Sequence, residues 1–419
     1  MLRLLLLALL AAGLTGCASF AKLKKDLTVY NASVAEISGQ VASPTCPACV
    51  TILVVVGEER KPLSYIVFER PGEFRFLAST GAKGVFAFHD TNGNLEYDPS
   101  EPFAWQALPD AVRTGKPAGS LLLDIQPDTG TNLAASVSPR GNLLDLRSKL
   151  LAGIDIQLGS VTDLSQPRFD PDFAGLGMWE PMQFMKSGLA GIYFLEPYSR
   201  RKTPILFVHG INGTPRDFAP LIARIDRDRY QPWLLYYPSG LEIAPVGNAL
   251  LGMLNELWLE YGFKDLHIVA HSMGGLVSRA FLDTCRKEDE CDYVRTFTSI
   301  SSPFGGARAA QSGIEYAPVV MPVWRSMAPD SAFLQELFSQ PLPNGVQHHM
   351  LFGYHNTSTL AKESGDGTIP LESQLRLAAQ RQAVSLHGID EDHVGILASE
   401  QTAAYVKAIV SGKADLPPK

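Results

Sequence analysis

One stretch, DLHIVAHSMGGLVSRAFL at residues 265 to 282, constrains the fold more than any other. The run from Leu266 to Ala270 is apolar apart from His267 and stops at His271 and Ser272. Gly274 and Gly275 follow at once, and then a helix-like pattern. A buried strand that turns directly into a helix needs small residues at the bend, because backbone and neighbouring elements approach closely there. A lone hydroxyl on that bend is exposed at the carboxyl edge of a sheet. It also faces the N–H groups that open a helix. The pattern reads A-x-S-x-G, with Ala270 at the first small position. It is one small residue away from the G-x-S-x-G nucleophile elbow.

The surroundings of this stretch alternate in the same way. From about residue 200, strand-like runs (TPILFVHG, QPWLLYYPS, DLHIVAHS) alternate with helical ones (TPRDFAPLIARIDRD, VGNALLGMLNELWLEYG). Such alternation predicts a mostly parallel sheet with helices on both faces. Thr214, Pro215 and Asp217 form a helix-start signature, and Gly262 is placed to end a helix. Further strands are expected at VRTFTSISSP, HHMLFGY and QAVSLHG, and a last helix at SEQTAAYVKAIVSG. The pattern before residue 160 is different. CVTILVVVG, SYIVFER, EFRFLAS and GVFAFHD are short, β-branched and aromatic, and separated by Gly, Pro and Asn. They predict a β-sandwich of immunoglobulin-like or transthyretin-like type.

The chain has 419 residues, enough for two domains. It is 46% hydrophobic and 19% charged with net charge −7, which suits a globular core and gives no electrostatic reason to bind nucleic acid. The predicted organisation is a signal peptide at 1–16, a lipidated N-terminus and tether at 17–39, the β-sandwich at 40–160, and a connector at 161–200. The catalytic domain then occupies 201–413, with a possible cap at 305–347.

Chemistry requires partners for Ser272. A serine hydroxyl is a poor nucleophile until a base takes its proton and an acid orients that base. Asp366 lies in ESGDGTIPLES after one expected strand, and His393 lies in GIDEDHVGIL between the last strand and the last helix. The order Ser272, Asp366, His393 is the order of nucleophile, acid and base in this kind of sheet. His387 competes with His393 for the base, but an alternating strand fixes its side chain to one face. Asp390, Glu391 and Asp392 compete with Asp366 as orienter. His348, His349 and His355 have no acidic or cysteine partners at metal spacing and are expected to be structural.

The motifs FVHGINGTPRDF, VAHSMGGLVSR, SSPFGG, GDGTIPLESQL and DHVGIL together resemble the serine esterase/lipase branch of the α/β-hydrolase superfamily, over residues 175 to 398. Bacterial triacylglycerol lipases, glycosylphosphatidylinositol deacylase-like and lecithin–cholesterol acyltransferase-like proteins look similar. The resemblance implies Ser272 as nucleophile, His393 as base, Asp366 as acid, and the N–H groups of Ile211 and Met273 as oxyanion donors. It implies an ester or lipid substrate and no cofactor for catalysis. An acyltransferase would use the same machinery, and a surface-binding lipoprotein would keep only the scaffold. Residues 305–347 correspond to the insert that forms a cap or lid in lipases.

The start, MLRLLLLALLAAGLTGCASF, has one basic residue and an apolar segment too short to span a bilayer. Leu14-Thr15-Gly16-Cys17 resembles the lipobox of bacterial lipoproteins. That resemblance implies acylation of Cys17, anchoring to a membrane of the cell envelope, and, with Ala18 next, the outer membrane where the cell has one. An exported chain meets an oxidising compartment. Cys285 and Cys291 could therefore close a small disulfide ring, and Cys46 and Cys49 form either a structural disulfide or two inert thiols. In HDTNGNLEYDPSEP, Asp90, Asn92, Asn94, Asp98 and Glu101 have the spacing of a calcium loop, although Leu95 stands where an EF-hand has glycine. The alternative is a long polar hairpin turn around Asn92-Gly93.

Overall fold

The computed structural model describes residues 2–110, 112, 120–127, 133–140, 143, 149–151, 154–288, 290–356 and 363–412. Helix α1 (Leu2–Ser33) leads into β1 (Val34–Ala42), β2 (Thr51–Val56), β3 (Pro62–Phe68), β4 (Glu73–Ser79), β5 (Gly84–His89), β6 (Phe103–Ala107) and β7 (Leu121–Asp124). These strands form two sheets, β4-β1-β7 and β3-β2-β5-β6. Ile37, Val41 and Phe74 from the first meet Leu53, Val55, Val85 and Ala87 from the second in one core, so the region is a sandwich. The run TILVVV is apolar without alternation because both faces of β2 are buried. Its other face, Ile52, Val54 and Val56, packs with Tyr65, Phe86 and Phe88 in a separate cluster. Short elements follow: α2 (Leu133–Val137), β8 (Lys149–Leu151) and β9 (Ile154–Asp155). Residues 140–153, RGNLLDLRSKLLAG, lie largely outside the described residues.

The rest of the chain builds one sheet of eight strands. Its elements in chain order begin with β10 (Gln157–Val161), α3 (Pro171–Trp179), α4 (Pro181–Lys186) and β11 (Gly191–Phe194). Next come β12 (Thr203–Val208), α5 (Ala219–Ile222), β13 (Tyr230–Tyr236), α6 (Ile243–Tyr261), β14 (Leu266–His271) and α7 (Met273–Glu288). β15 (Val294–Ile300) precedes α8 (Arg308–Tyr316), α9 (Pro322–Met327) and α10 (Ala332–Leu337). The last elements are β16 (Gln347–Gly353), α11 (Leu371–Gln374), α12 (Leu377–Gln380), β17 (Ala383–Ile389) and α13 (Glu400–Val410). The strand order is β10-β11-β13-β12-β14-β15-β16-β17. Every pair is parallel except β11 with β13. All residues of β13 and β14 are buried, so both faces of the sheet are covered. This is an α/β-hydrolase fold preceded by a strand-rich region, as the motif order implied. The predicted caps form: Thr214 and Asp217 make a reciprocal capping box, and Gly262 takes φ +60° after α6.

Three boundaries differ from the sequence reading. The segment read as a tether contains β1 from Val34 onward, because its alternation closes the sandwich against β4. β10, placed in the sandwich by its position in the chain, pairs in parallel with β11 and forms the edge of the large sheet. The later part of α1 is docked. Leu23 is fully buried, Phe20 packs edge-on to Trp179 at 5.3 Å, and the Asp26 carboxylate accepts the N–H groups of Met182 and Gln183. An acid at the start of α4 satisfies donors that the helix itself cannot.

The sandwich and the large sheet meet through polar contacts as well as packing. Asn255 of α6 donates to the Val67 carbonyl oxygen at 2.8 Å and to Glu290 at 2.8 Å. Glu290 also accepts the Glu69 N–H at 2.9 Å, and Tyr65 donates to Glu256 at 3.2 Å. Glu290 sits in the loop closed by a Cys285–Cys291 disulfide, and its own N–H donates to the Cys285 carbonyl. Cys46 and Cys49 are joined as well.

Burial, aided by the nearby Glu69, pushes the Glu290 carboxyl up to about 8, against a hydrogen bond from Asn255 that favours the charged form. The ordinary glutamate value is 4.5. The folded chain therefore holds a proton that the unfolded chain has lost, and the associated stability is complete below the ordinary value and disappears as pH rises through the folded one. We expect the melting temperature of the wild type to fall more steeply than that of Glu290→Gln between about pH 5 and pH 8. Parallel curves in a thermal unfolding series would show that this carboxyl does not titrate at the contact.

Candidate active site

β14 lies at the centre of the sheet, between β12 and β15. Its chain turns at Ser272, which takes φ +53°, a left-handed value that costs a non-glycine residue energy. The bend is held because Ser272 N–H donates to the Ile300 carbonyl at 2.8 Å and Gly275 N–H closes back on the Ser272 carbonyl at 3.0 Å. Neighbouring elements press on it. A Cβ at Gly274 would lie 2.2 Å from the Val208 carbonyl oxygen, and one at Gly275 would lie 2.0 Å from Ser302 Oγ. One at Gly210 would lie 2.9 Å from the Ser272 Cβ. The two glycines after the serine are thus required by contact with β12 and with the chain that follows β15.

The three residues ordered in the sequence meet in space. His393 Nε2 lies 3.0 Å from Ser272 Oγ, and His393 Nδ1 lies 2.7 Å from Asp366 Oδ2. The carboxylate accepts at Nδ1, so Nε2 is left as the acceptor for the serine hydroxyl. Asp366 Oδ1 accepts the N–H groups of Thr368 at 3.0 Å and Ile369 at 2.7 Å. Burial alone would raise the Asp366 carboxyl; the hydrogen bond and charge of His393 and the two backbone donors outweigh it and hold the group below the ordinary carboxylate value. Ser272 and Asp366 are buried, and the His393 side chain keeps 13% of its exposure.

The competing residues are occupied elsewhere. His387 stacks on Tyr405 of α13 at 4.2 Å. Asp390 pairs with His355 at 2.9 Å, so that histidine does have an acidic partner, although the sequence spacing did not show it. Asp392 accepts the N–H groups of Val394 and Gly395. His348 bonds Ser299 and stacks on Phe297, and His349 bonds Ser385, all within the sheet.

The N–H groups of Ile211 and Met273 make no hydrogen bond to a protein acceptor among the described residues. The loop carrying Ile211 is clamped. Tyr237 donates to the His209 carbonyl oxygen at 2.7 Å and stacks on its ring at 4.3 Å. His209 Nδ1 lies 2.8 Å from the Gly210 carbonyl and must donate to it. Burial pushes that imidazole down to about 4, so it is neutral. Gln374 performs the same service for the acid loop: it bonds both backbone groups of Gly353 and the Ile369 carbonyl. Neither Tyr237 nor Gln374 was identified from the sequence, because nothing local distinguishes them from other polar residues after a strand.

Residues 305–347 contain α8, α9 and α10 and end at the first residue of β16. α9 is built into the body: Val323 N–H donates to the Gly240 carbonyl, and Ser326 accepts the Ile243 N–H. α8 buries only Ala310, and Tyr316 at its end is 81% exposed.

In the stretch with calcium-loop spacing, the carboxylates bond to the loop's own donors. Asp90 accepts the N–H groups of Gly93, Asn94 and Leu95, and Glu101 accepts those of Thr91 and Asp98. Asn92 and Asn94 both donate to Asp98. The oxygens serve the loop's own donors, and no cluster of three His, Cys, Asp or Glu among the described residues could hold a metal. Gly93 takes φ +73° within this stretch. The Cys17 side chain lies outside the described side chains, and no helix of the described residues is long and apolar enough to cross a membrane.

Residues 247–407 match the family described as alpha/beta hydrolase of unknown function (DUF915). The chain is 24% identical over 247 residues to the lysosomal phospholipase A and acyltransferase of Bos taurus, covering 41% of this chain and 60% of that protein. The Homo sapiens protein of the same name is 25% identical over 244 residues, covering 41% and 59%. The chain thus matches about three-fifths of the length of these relatives. Among solved structures, the mature lipase BlEst2 of Bacillus licheniformis is similar, with TM-score 0.43, 18% identity, and coverage of 52% of this chain and 97% of that one.

Because a Cβ at Gly274 would strike backbone oxygen, Gly274→Ala should destabilise the chain by roughly 1–3 kcal/mol, as overpacking does. Urea unfolding would measure it. An unchanged midpoint would mean that β12 and α7 are not packed as closely as drawn.

Proposed function

We propose that this chain is a serine hydrolase that cleaves carboxylic esters through an acyl-enzyme. The observation that carries the reading is the hydrogen-bonded line from Asp366 through His393 to Ser272, on a bend with free N–H groups at Ile211 and Met273. In the proposed cycle His393 Nε2 takes the hydroxyl proton as Ser272 Oγ attacks the carbonyl carbon. The carbonyl oxygen becomes an oxyanion, and the two N–H groups stabilise it. Donors fixed at that point contribute about 3 kcal/mol each. His393 returns its proton to the leaving alcohol. Water then attacks the acyl-enzyme with His393 again as base, and Ser272 is regenerated. Asp366 stays ionised and holds the imidazole with Nε2 toward the serine. No cofactor takes part.

The relatives named for phospholipase A and acyltransferase activity support lipid esters as the substrate class. The same names favour a second reading, in which an alcohol replaces water and the acyl group is transferred. We further propose that Cys17 is acylated and anchors the chain to the envelope. The supporting observation is the lipobox-like Leu14-Thr15-Gly16-Cys17.

A fluorophosphonate probe should label the wild type and not Ser272→Ala. Against a chain-length series of nitrophenyl esters, Ser272→Ala and His393→Ala should lose about three or more orders of magnitude in kcat, with Asp366→Asn close to them. His387→Ala should lose no more than about tenfold, since its ring stacks on α13. Equal labelling of wild type and Ser272→Ala would overturn the hydrolase reading. A dead His387→Ala beside an active His393→Ala would move the base.

The anchor has its own test. Wild-type chain should fractionate with membranes, and Cys17→Ser should be released or retained as an uncleaved precursor. Mass spectrometry that found an unmodified N-terminus beyond residue 17 would exclude acylation.

A further inference from the structure

His271 precedes the proposed nucleophile and takes no proton in the cycle described above. Its ring is buried, and its Nε2 lies 2.7 Å from the His393 carbonyl oxygen. A carbonyl only accepts, so Nε2 must carry the proton and donate. The two rings lie 4.8 Å apart. Burial, with the His393 ring beside it, pushes the His271 imidazole down to about 3, which keeps it neutral when a positive charge forms on its neighbour.

The base loop is also held on either side of His393, where the Glu391 carbonyl accepts the His355 N–H and Ile396 and Leu397 are buried, and through the bond of the His393 ring to Asp366. His393 N–H donates to the Asp366 carbonyl at 2.9 Å, which ties it to the acid loop. The following residue, Val394, is 70% exposed and packs little on the body. Its N–H and that of Gly395 bond to Asp392, within the same loop. The bond from His271 therefore ties this loop to the strand that carries the nucleophile. That strand is fixed in turn: His271 stands opposite Ile300 in the β14–β15 pair.

We infer that His271 is a positioning residue: its Nε2–H holds the His393 carbonyl and so sets the spacing between His393 Nε2 and Ser272 Oγ. Residues 271 and 272 are adjacent, so one bond measures the base loop against the nucleophile itself. Loss of the bond would let the loop move outward and lengthen the 3.0 Å contact on which proton transfer depends. A displacement of about 1 Å at such a contact costs on the order of a hundredfold in rate. The inference rests on the ester hydrolase reading.

The test uses the full chain and counts active sites by fluorophosphonate titration, so that kcat is expressed per competent site. His271→Leu removes the donor. It should lose roughly tenfold to a hundredfold in kcat with KM within about twofold. His271→Gln places an amide N–H near the Nε2 position and should recover most of the loss. His271→Asn places its amide short of the carbonyl and should behave like leucine. The Gln and Asn pair keeps the comparison decisive where the leucine variant does not fold. Wild-type kcat per site in His271→Leu or His271→Asn, or a glutamine variant as slow as the asparagine one, would overturn the inference. A merely structural role would lower the number of titrated sites and leave kcat per site unchanged. A wild type that neither cleaves nitrophenyl esters nor takes the probe overturns the hydrolase reading and this inference with it.

Discussion

The bend at Ser272 is the constraint that the large domain is built around. A serine at φ +53° is held there only because its surroundings leave no alternative. Its N–H belongs to Ile300, Gly274 lies against the Val208 carbonyl, Gly275 lies against Ser302, and Gly210 lies against the serine itself. Strands β12, β14 and β15 and helix α7 thus converge on one residue, with glycine at the closest approaches. The small residues of VAHSMGG are the means of that approach. The same closeness brings the Ile211 loop beside the serine, since a larger residue at 210 would push the two apart. Presentation of the hydroxyl and placement of the free N–H groups thus have one cause.

The acid and base come from loops, so they need separate attachments. Asp366 is fixed by two backbone donors, and its loop by Gln374. His393 is fixed at Nδ1, at its N–H and at its carbonyl. These bonds join residues from 271 to 393, so the alignment of the site depends on elements spread along the whole large sheet. Among the described residues, the sandwich contributes none of these contacts. It adheres through α6 and the disulfide-closed loop, at Asn255 and Glu290.

Legibility in the sequence followed the range of the interaction. The elbow was readable because its cause is local: an apolar strand, a serine and two glycines within a few residues. The acid and base were readable through their order along the chain, since parallel strands connected by helices place the loops along the carboxyl edge in a fixed sequence. β10 was misplaced because only pairing with β11 distinguishes it from a sandwich strand. The docked part of α1 was missed because its decisive feature, Asp26 at the start of α4, joins residues 156 positions apart. The spacing of Asp90, Asn92, Asn94, Asp98 and Glu101 was readable, but the bonds that Asp90 and Glu101 accept from the loop's own N–H groups were not. Tyr237, Gln374 and His271 were invisible for the same reason: each acts on a backbone carbonyl, and a carbonyl leaves no mark in a sequence.

The electrostatics of the site follow from burial. Three histidines crowd Ser272, and two of them are kept neutral by loss of solvent, His209 at about 4 and His271 at about 3. Each uses its single N–H on a carbonyl. Neither is therefore a free donor or a competing base beside the serine. His393 differs in one respect: a carboxylate faces its Nδ1. In a poorly hydrated site, a nearby opposite charge is what makes an imidazolium tolerable. Asp366 Oδ2 accepts from His393 Nδ1, so the ring that reaches Ser272 Oγ is the one that a buried carboxylate holds in place.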